Sequence, residues 1–213
     1  MSKIIHYLAE KPIVFNILRR IIEANYISIK NAIRKEFSLC HENEQTSPNE
    51  KILDVPCGTG EFCTLFKPNS YHGLDISKTY IEYAQKKYKQ NFFCGDATRI
   101  NFNDNYFDKI LTLSLFHHID DSSVKFVLKE LKRILKPDGI LLLIEDAPTS
   151  ISWNFIGKVL QKLDIGHNIR TYSEYKIIAE EDFIIDKYYP IKSGFWDYSV
   201  FVLSPKKQDK LKI

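Results

Sequence analysis

A short stretch in the first third of the chain combines an apolar run, an aspartate and two closely spaced glycines. Residues 51–62 read KILDVPCGTGEF, in which Asp54 interrupts the apolar run and Gly58 and Gly60 follow it. Such a run is typical of a buried parallel strand. Glycine tolerates positive φ and, lacking a Cβ, lets a ligand approach the backbone amides closely. The stretch predicts a strand, a tight turn and a helix from Glu61 that together bind a nucleotide-type ligand.

The spacing of the next residues favours a nucleoside over a dinucleotide. A pyrophosphate-binding fingerprint needs a third glycine at the position where this chain has Cys63. The stretch YHGLDIS places Asp75 at the end of the next predicted strand. A carboxylate there can accept hydrogen bonds from the two hydroxyl groups of a ribose. The sequence therefore predicts a ligand that contains a nucleoside without a pyrophosphate.

The composition indicates one domain. The chain has 213 residues, of which 44% are hydrophobic, and a formal net charge of +3. This length supports one sizeable core, and the small basic excess falls short of the clustered Lys/Arg face of a dedicated nucleic-acid binder. The four cysteines form no C-x-x-C pair, and no apolar segment resembles a membrane span or a signal peptide. We therefore expect a cytoplasmic location.

Two predicted helices precede the core. Apolar residues recur at helical spacing within residues 2–39, and Pro12 divides this stretch. A polar linker follows. The resulting division is N-terminal helices that cover the substrate (1–40), a linker (41–50), a core (51–204) and a tail (205–213). Deletion of residues 1–40 is expected to leave a folded core that handles the acceptor poorly.

Predicted strands and helices alternate after the linker. The strands are 51–55, 71–75, 91–94, 108–114, 140–145, 183–188 and 198–203, and the later helices are 77–89, 121–135 and 173–181. Such alternation predicts a parallel sheet with helices on its faces. The last two strands are too close in sequence for a helical crossover. They are expected to pair antiparallel.

Four stretches of the core occur in a fixed order: ILDVPCGTG, GLDIS, GDAT, and FDKILTLSLFHHIDD with LKRILKPDGILLLIE. Together they resemble the motifs of the class I S-adenosylmethionine-dependent methyltransferases, and most closely the small-molecule branch of type 11/25. The resemblance covers residues 50–204. It implies a doubly wound, Rossmann-like α/β fold with a seven-stranded sheet, a C-terminal antiparallel hairpin and a helical lid. It also implies S-adenosylmethionine as the cofactor and S-adenosylhomocysteine as its product.

The resemblance assigns the cofactor to the ends of the first three strands. The implied contacts are Asp54, Pro56, Cys57, Gly58 and Gly60 beneath the methionine part, Asp75 and Ile76 at the ribose, Asp96 and Ala97 at the adenine, and Ser114 beside the methyl group. Pro56 stands where the family most often has glycine, so a contact that needs this amide is absent. Each aspartate also has an ordinary explanation, as a solvated strand end, a helix N-cap partner or a turn residue.

The segment after the fourth strand faces the methyl group in the family, and here it ends in His117 and His118. Either histidine can act as a general base, because its side chain titrates near neutral pH. The alternative is a packed or hydrogen-bonded residue of the cleft. The adjacent Asp120 and Asp121 are interpreted as helix-start residues, and no metal site is predicted. No Asn/Asp-Pro-Pro-aromatic stretch is present, which disfavours methylation of nucleic-acid amino groups.

Substrate recognition is expected outside the common core. The candidate substrate-binding residues are Phe116, Trp153, Arg170, Tyr172 and Trp196. Arg170 suits a carboxylate or phosphate, although a surface salt bridge is an equal alternative. The basic N-terminal stretch permits contact with a membrane surface, but a lid over the cleft is the preferred interpretation.

The predicted function is transfer of a methyl group to an oxygen or nitrogen of a small molecule. Two alternatives of other classes stay open. The first is an NAD-type nucleotide oxidoreductase, which Cys63 disfavours, and the second is a non-catalytic module that only binds the cofactor. The sequence alone does not identify the acceptor or the oligomeric state.

Overall fold

A computed structural model of the chain describes residues 11–39, 49–149 and 168–207. The α-helices in these ranges are α1 (Pro12–Ile22), α2 (Ile27–Glu36), α3 (Lys78–Lys87), α4 (Asp121–Ile134) and α5 (Tyr172–Ala179). The strands are β1 (Ile52–Asp54), β2 (Tyr71–Asp75), β3 (Asn91–Cys94), β4 (Phe107–Leu113), β5 (Leu135–Asp146), β6 (Phe183–Ser193) and β7 (Trp196–Pro205). None of the helices within the described ranges is both long and apolar enough to cross a bilayer.

The seven strands form one sheet in the order β3-β2-β1-β4-β5-β7-β6. The first five strands pair in parallel, and β7 pairs antiparallel with both β5 and β6. The predicted doubly wound α/β fold and its C-terminal antiparallel hairpin are therefore confirmed. Strand order reverses beside β1, where open parallel sheets of this type place their ligands.

The predicted α-helix from Glu61 is absent from the structure. The chain makes turns after Gly60 and then a single 3-10 turn, Cys63–Leu65. Phe66 is already extended, and Pro68 disfavours the helical conformation at the residue before it. Because the segment is too short for an α-helix before this proline, the loop after β1 does not lead into a helix N-terminus.

Strand β5 begins earlier than predicted, at Leu135. Phe107 pairs with Leu135 but Lys109 pairs with Ile140, so the extra residues form an irregularity in the ladder. A Cβ on Gly139 would lie 2.6 Å from the Leu135 side chain and 2.9 Å from a backbone oxygen of β4. Glycine at this position therefore allows the two strands to approach.

The N-terminal helix α2 is part of the main core. Ile29, Ile33 and Phe37 are 0% exposed and pack in the same cluster as Ile52 of β1 and Tyr71 of β2. Lys187 of β6 and Tyr189 also bind Glu36 at the end of this helix. The expected boundary near residue 41 therefore does not separate two independent cores.

Candidate active site

One cavity of about 660 Å³ opens where the parallel strands β1, β2, β3 and β4 end. A volume in this range suits a small organic ligand. Its wall includes ten of the sequence-predicted residues: Pro56, Cys57, Gly58, Asp75, Ile76, Asp96, Ala97, Ser114, His117 and His118. The strand ends therefore bring these residues and the histidine pair together in one cavity.

The loop after β1 forms the floor of the cavity. Gly58 has a φ of +53°, and a Cβ built on it meets no atom within 4 Å, so the backbone faces open space. Its N–H donates to Asp75 Oδ2 at 2.8 Å. Thr59 donates from its hydroxyl to Asn16 Oδ1 at 2.6 Å, which ties the loop to α1. The absence of a side chain at Gly58 leaves room for a ligand against the loop.

Asp75 ends β2 and is held by two backbone amides. Oδ2 accepts the N–H of Gly58, and Oδ1 accepts the N–H of Ser77 at 2.8 Å. Burial raises the pKa of this carboxyl, against the lowering effect of both amides. Ser77 itself caps α3. The next residue, Ile76, is 74% exposed although it lines the cavity, so it offers an apolar surface to a planar ligand.

Asp96 lies in the turn after β3. Its Oδ1 accepts from both the N–H and the hydroxyl of Thr98, each at 2.8 Å. The turn interpretation of this residue is therefore confirmed, and the residue also lines the cavity beside Ala97.

Two predicted cofactor residues, Asp54 and Gly60, lie beneath the cavity wall. Asp54 is 1% exposed and accepts a hydrogen bond of 2.6 Å from the Tyr71 hydroxyl. Burial, opposed by this bond and reinforced by Asp75, raises the pKa of Asp54 to about 7. Gly60 has a φ of +79°, and a Cβ there would lie 3.0 Å from the ring of Phe92. Both residues support the loop from below and do not contact the cavity.

The loop after β4 forms the opposite end of the cavity. Ser114 has a φ of +53°, and a 3-10 turn, Phe116–His118, follows it. Glu145 of β5, which is 0% exposed, accepts the N–H groups of Leu115 and Phe116 at 2.9 and 3.0 Å. A buried carboxylate therefore fixes the backbone that carries both histidines.

His117 is 2% exposed and faces two carboxylates of β5. Its Nδ1 lies 2.8 Å from Asp146 Oδ2 and 3.7 Å from Glu145 Oε2. Burial alone lowers the pKa of the imidazole, but the charge and hydrogen bond of Asp146, with those of Glu145, raise it to about 10. Burial raises the pKa of Asp146, but the charges of His117, Arg19 and His118 together with the contact to His117 outweigh burial and lower it. At neutral pH the pair is imidazolium and carboxylate.

Helix α1 adds Asn16 and Arg19 to the cavity wall, and Tyr26 follows from the next turn. Arg19 is 22% exposed and lies 2.6 Å from Glu23 Oε1. Glu23 also accepts a hydrogen bond of 2.8 Å from the Tyr198 hydroxyl of β7. The N-terminal helices therefore close one side of the cavity through a buried ion pair.

None of the predicted substrate-binding residues that the structure describes lies in the cavity wall. Phe116 is buried in the core, Tyr172 packs on Tyr188 and Phe201, and Trp196 is buried beneath Arg19. Trp153 lies outside the described residues.

Arg170 supports the histidine loop and lies outside the cavity wall. Its guanidinium donates to the carbonyl oxygens of Phe116 at 2.6 Å, Asn168 at 3.1 Å and Ile119 at 2.9 Å, and to Asp121 at 2.8 Å. It is 5% exposed and lies 2.7 Å from the carboxylate of Asp121, whose side chain is 70% exposed, so the salt bridge offered as the alternative is present although the arginine itself is buried.

Sequence reasoning missed Arg19, Glu23, Glu145 and Asp146. Glu145 and Asp146 could have been recognised from the sequence, because the stretch LLLIED ends a buried strand with carboxylates, as β1 and β2 end with Asp54 and Asp75. For Arg19 and Glu23, the only indication in the sequence is their i,i+4 spacing on a predicted helix, which permits an ion pair. Among the residues that the structure describes, no cluster of His, Cys, Asp and Glu could hold a metal ion.

The fold and this cavity define an α/β protein that binds a nucleoside-type ligand at the end of a parallel sheet. Residues 53–143 match the family described as "Methyltransferase domain". The demethylmenaquinone methyltransferase of Thermotoga maritima is 36% identical over 52% of this chain and 49% of its own length. A solved S-adenosylmethionine-dependent methyltransferase from Aquifex aeolicus superposes with a TM-score of 0.62 at 19% identity, over 87% of this chain and 92% of that one.

An uncharacterised protein of Methanocaldococcus jannaschii is 27% identical over 85% of this chain and 76% of its own length. The chain spans about half the length of the Thermotoga relative. Residues 53–143 therefore carry a methyltransferase domain, and the chain as a whole is similar to the class I S-adenosylmethionine-dependent methyltransferases.

The residues present fit the cofactor of this family. Gly58 leaves the loop surface open, the carboxylates at the ends of β2 and β3 suit hydroxyl and amino donors, and Ile76 exposes an apolar side chain between them. These features accommodate the adenosine part of S-adenosylmethionine.

Proposed function

We propose that this protein transfers the methyl group of S-adenosylmethionine to an oxygen or nitrogen of a small-molecule acceptor. One observation carries the proposal: a single cavity has strand-end carboxylates at one end and Arg19, His117 and His118 at the other. We name these the cofactor end and the acceptor end.

The residues of the cofactor end bind and orient. Each carboxylate oxygen of Asp75 already accepts one backbone amide, from Gly58 or Ser77, and can accept one more hydrogen bond from a ribose hydroxyl group. The carboxylate of Asp96 accepts a hydrogen bond from the adenine amino group. The cofactor supplies a methyl group activated by the positive charge of its sulfonium. Holding acceptor and methyl in line within a closed cavity accounts for much of the rate in such displacements.

Two observations support a small acceptor. The T. maritima relative is named as a demethylmenaquinone methyltransferase, which acts on a small organic molecule. The acceptor end is also part of the same small cavity, where α1 and the loop after β4 supply the wall. The N-terminal helices would thus cover the acceptor as predicted, while remaining part of the core.

Binding and turnover test this proposal separately. In titration calorimetry, S-adenosylhomocysteine should bind and NAD should not. Incubation with S-adenosylmethionine and a metabolite mixture should then release S-adenosylhomocysteine, with Asp75→Ala as the control that binds the cofactor poorly. Tight binding without release for any metabolite fraction would support the non-catalytic alternative. NAD binding would support the oxidoreductase.

A further inference from the structure

Helix α1 presents an apolar side to solvent. Ile13, Ile17 and Ile21 follow one another at i,i+4 spacing, so they share one side of the helix, and each is more than half exposed. Leu18, three residues before Ile21, is also exposed. A helix at a protein surface ordinarily turns its apolar stripe inward and its polar residues to water. The four residues, which we name the outer face of α1, reverse this arrangement.

The inner side of α1 is polar and already has partners. Asn16 accepts the hydroxyl hydrogen of Thr59 from the loop after β1. Arg19 and the buried Glu23 form an ion pair, and Glu23 also accepts a hydrogen bond from Tyr198 of β7. These contacts fix the rotation of the helix about its axis. The outer face therefore cannot turn toward the core without breaking them.

The charges around the outer face are basic. The sequence of α1, PIVFNILRRII, contains no acidic residue, and residues 11–39 hold six Lys and Arg against two Glu. Of the two acids, Glu23 is buried and Glu36 binds Lys187 of β6. Arg20, three residues after Ile17, is 44% exposed beside the outer face while its guanidinium contacts Glu61. Exposed aliphatic side chains within a basic segment are typical of helices that lie on anionic membranes.

The outer face is too small for a stable contact with a second copy of the chain. An 11-residue helix is about 16 Å long and about 10 Å wide with its side chains, so one side covers roughly 160 Å² in projection. A stable protein–protein interface buries about 800 Å² on each partner. Lipid has no such lower limit, because acyl chains surround each inserted side chain separately and the binding strength scales with the apolar area. The size of the outer face therefore favours a bilayer.

We propose that α1 lies in the headgroup region of an anionic membrane, with its outer face inserted among the acyl chains. The inference goes beyond the proposed function, since binding to lipid requires neither cofactor nor turnover. Asn16 and Arg19 on the inner side of the same helix line the cavity. One helix therefore separates the acceptor end from the bilayer.

Sedimentation with lipid vesicles tests the proposal. The 213-residue chain should bind vesicles made of equal parts phosphatidylglycerol and phosphatidylcholine, and should bind pure phosphatidylcholine vesicles more weakly. The double variant Ile17→Ser, Ile21→Ser should lower the partition coefficient at least tenfold, because burial of one isoleucine side chain shifts an equilibrium by about that factor. The matched control is Ile177→Ser, Ile184→Ser, at two exposed isoleucines of α5 and β6, which should bind like wild type.

The controls separate a bilayer from other occupants of the outer face. Because the substituted side chains are exposed, both double variants should keep the urea midpoint of wild type. A lower midpoint in the α1 variant alone would show that another segment of this chain covers the outer face. A dimer in sedimentation equilibrium that only the α1 variant dissociates would assign the face to a second copy. Either result overturns the inference.

Vesicle binding by the wild-type protein is the decisive measurement, and it depends on no variant. Absence of binding to the anionic vesicles, or equal binding by the α1 variant and wild type, overturns the inference. The α1 variant should bind S-adenosylhomocysteine like wild type, since its substitutions lie outside the cavity wall. Failure of wild type to bind S-adenosylhomocysteine contradicts the proposed function and leaves the vesicle result unchanged.

Discussion

At the cofactor end of the cavity, backbone amides hold Asp75, whereas at the acceptor end Asp146 and Glu23 face charged side chains. Asp75 accepts from the amides of Gly58 and Ser77, both close to a strand end. Asp146 faces His117, and Glu23 faces Arg19 and Tyr198, which is 175 positions away in the chain. A carboxylate held by amides depends on a local loop conformation. A buried ion pair depends on both partners, because removal of one leaves an uncompensated charge.

The largest expected effect comes from removing the N-terminal side of the acceptor end. Deletion of residues 1–39 removes Ile29, Ile33 and Phe37, all 0% exposed, together with the Arg19–Glu23 pair. Truncation of one such side chain typically costs about 2–5 kcal/mol, and a whole domain has about 5–15 kcal/mol of stability. We therefore expect no cooperative urea unfolding of the truncated protein, contrary to the expectation that the core folds alone.

A matched pair of substitutions in the full chain controls this experiment. Ile33→Ala should cost about 2–5 kcal/mol, whereas Ile21→Ala, at a residue 71% exposed, should change stability by less than about 0.5 kcal/mol. A truncated protein with a normal cooperative transition would show that the core does not need α2.

The acceptor end should titrate in the alkaline range. The pKa of His117 rises from its ordinary 6.5 to about 10 on folding, so the folded protein binds this proton more tightly. The stabilisation is fully present below about pH 6.5 and is lost as the pH rises toward 10. It amounts to a few kcal/mol, on the order expected for a buried pair. Urea unfolding across this range should show a falling stability that His117→Gln flattens; an unchanged slope would contradict the ion pair.

Asp54, which lies beneath the cofactor end of the cavity, should titrate in the acidic range. Folding raises the pKa of Asp54 from 3.8 to about 7, so the protonated form is favoured in the folded protein. This contribution is present below about pH 4 and is lost as the pH rises toward 7. Asp54→Asn should therefore reduce the loss of stability between pH 4 and 7. It should not change the loss of stability at alkaline pH, which comes from His117. His117→Gln and Asp54→Asn are controls for each other. If both variants changed the pH dependence of stability in the same pH range, the two ends of the cavity would not titrate separately.

The two ends also differ in how far the sequence predicts them. The sequence predicts Asp75 because a carboxylate after a buried strand faces the ligand edge of a parallel sheet. Asp96 is assigned to the cofactor only by the resemblance to the methyltransferase family. The same rule, applied to Asp146, predicts its place but not its partner. Pairing of Asp146 with His117, or of Glu23 with Tyr198, follows from packing of distant segments and has no local pattern.

The prediction of secondary structure failed in the segment before Pro68, where the proline restricts the backbone conformation. Periodicity predicted seven strands and most helices within a few residues, but the helix from Glu61 was wrong because Pro68 leaves too little chain for it. The substrate residues were chosen for their chemistry alone. Tyr172 and Trp196 instead pack on neighbouring side chains, so their burial could be found only from the tertiary structure.

Loss of one charge-assisted contact at the cofactor end should have a moderate effect. Asp75→Ala removes the acceptor for the ribose and for the Gly58 amide. A hydrogen bond to a charged group contributes about 1.5–3 kcal/mol, so affinity for S-adenosylhomocysteine should fall roughly tenfold to a hundredfold. Calorimetry on the folded variant measures this, with His118→Gln at the acceptor end as the control. Equal affinities of Asp75→Ala and wild type would remove Asp75 from the cofactor end.

The smallest effect is expected at Arg170, which supports the acceptor end from outside. Its planar guanidinium reaches the carbonyl oxygens of Phe116 and Ile119 together, and a single ammonium cannot reproduce that fork. Arg170→Lys should lower the free energy of unfolding by about 1–3 kcal/mol while leaving affinity for S-adenosylhomocysteine unchanged. Lys125→Ala, which breaks a more exposed ion pair with Glu181, should cost at most about 1 kcal/mol. Equal costs for the two variants would mean that the histidine loop does not depend on Arg170, and that Glu145 and Asp146 suffice to hold the acceptor end.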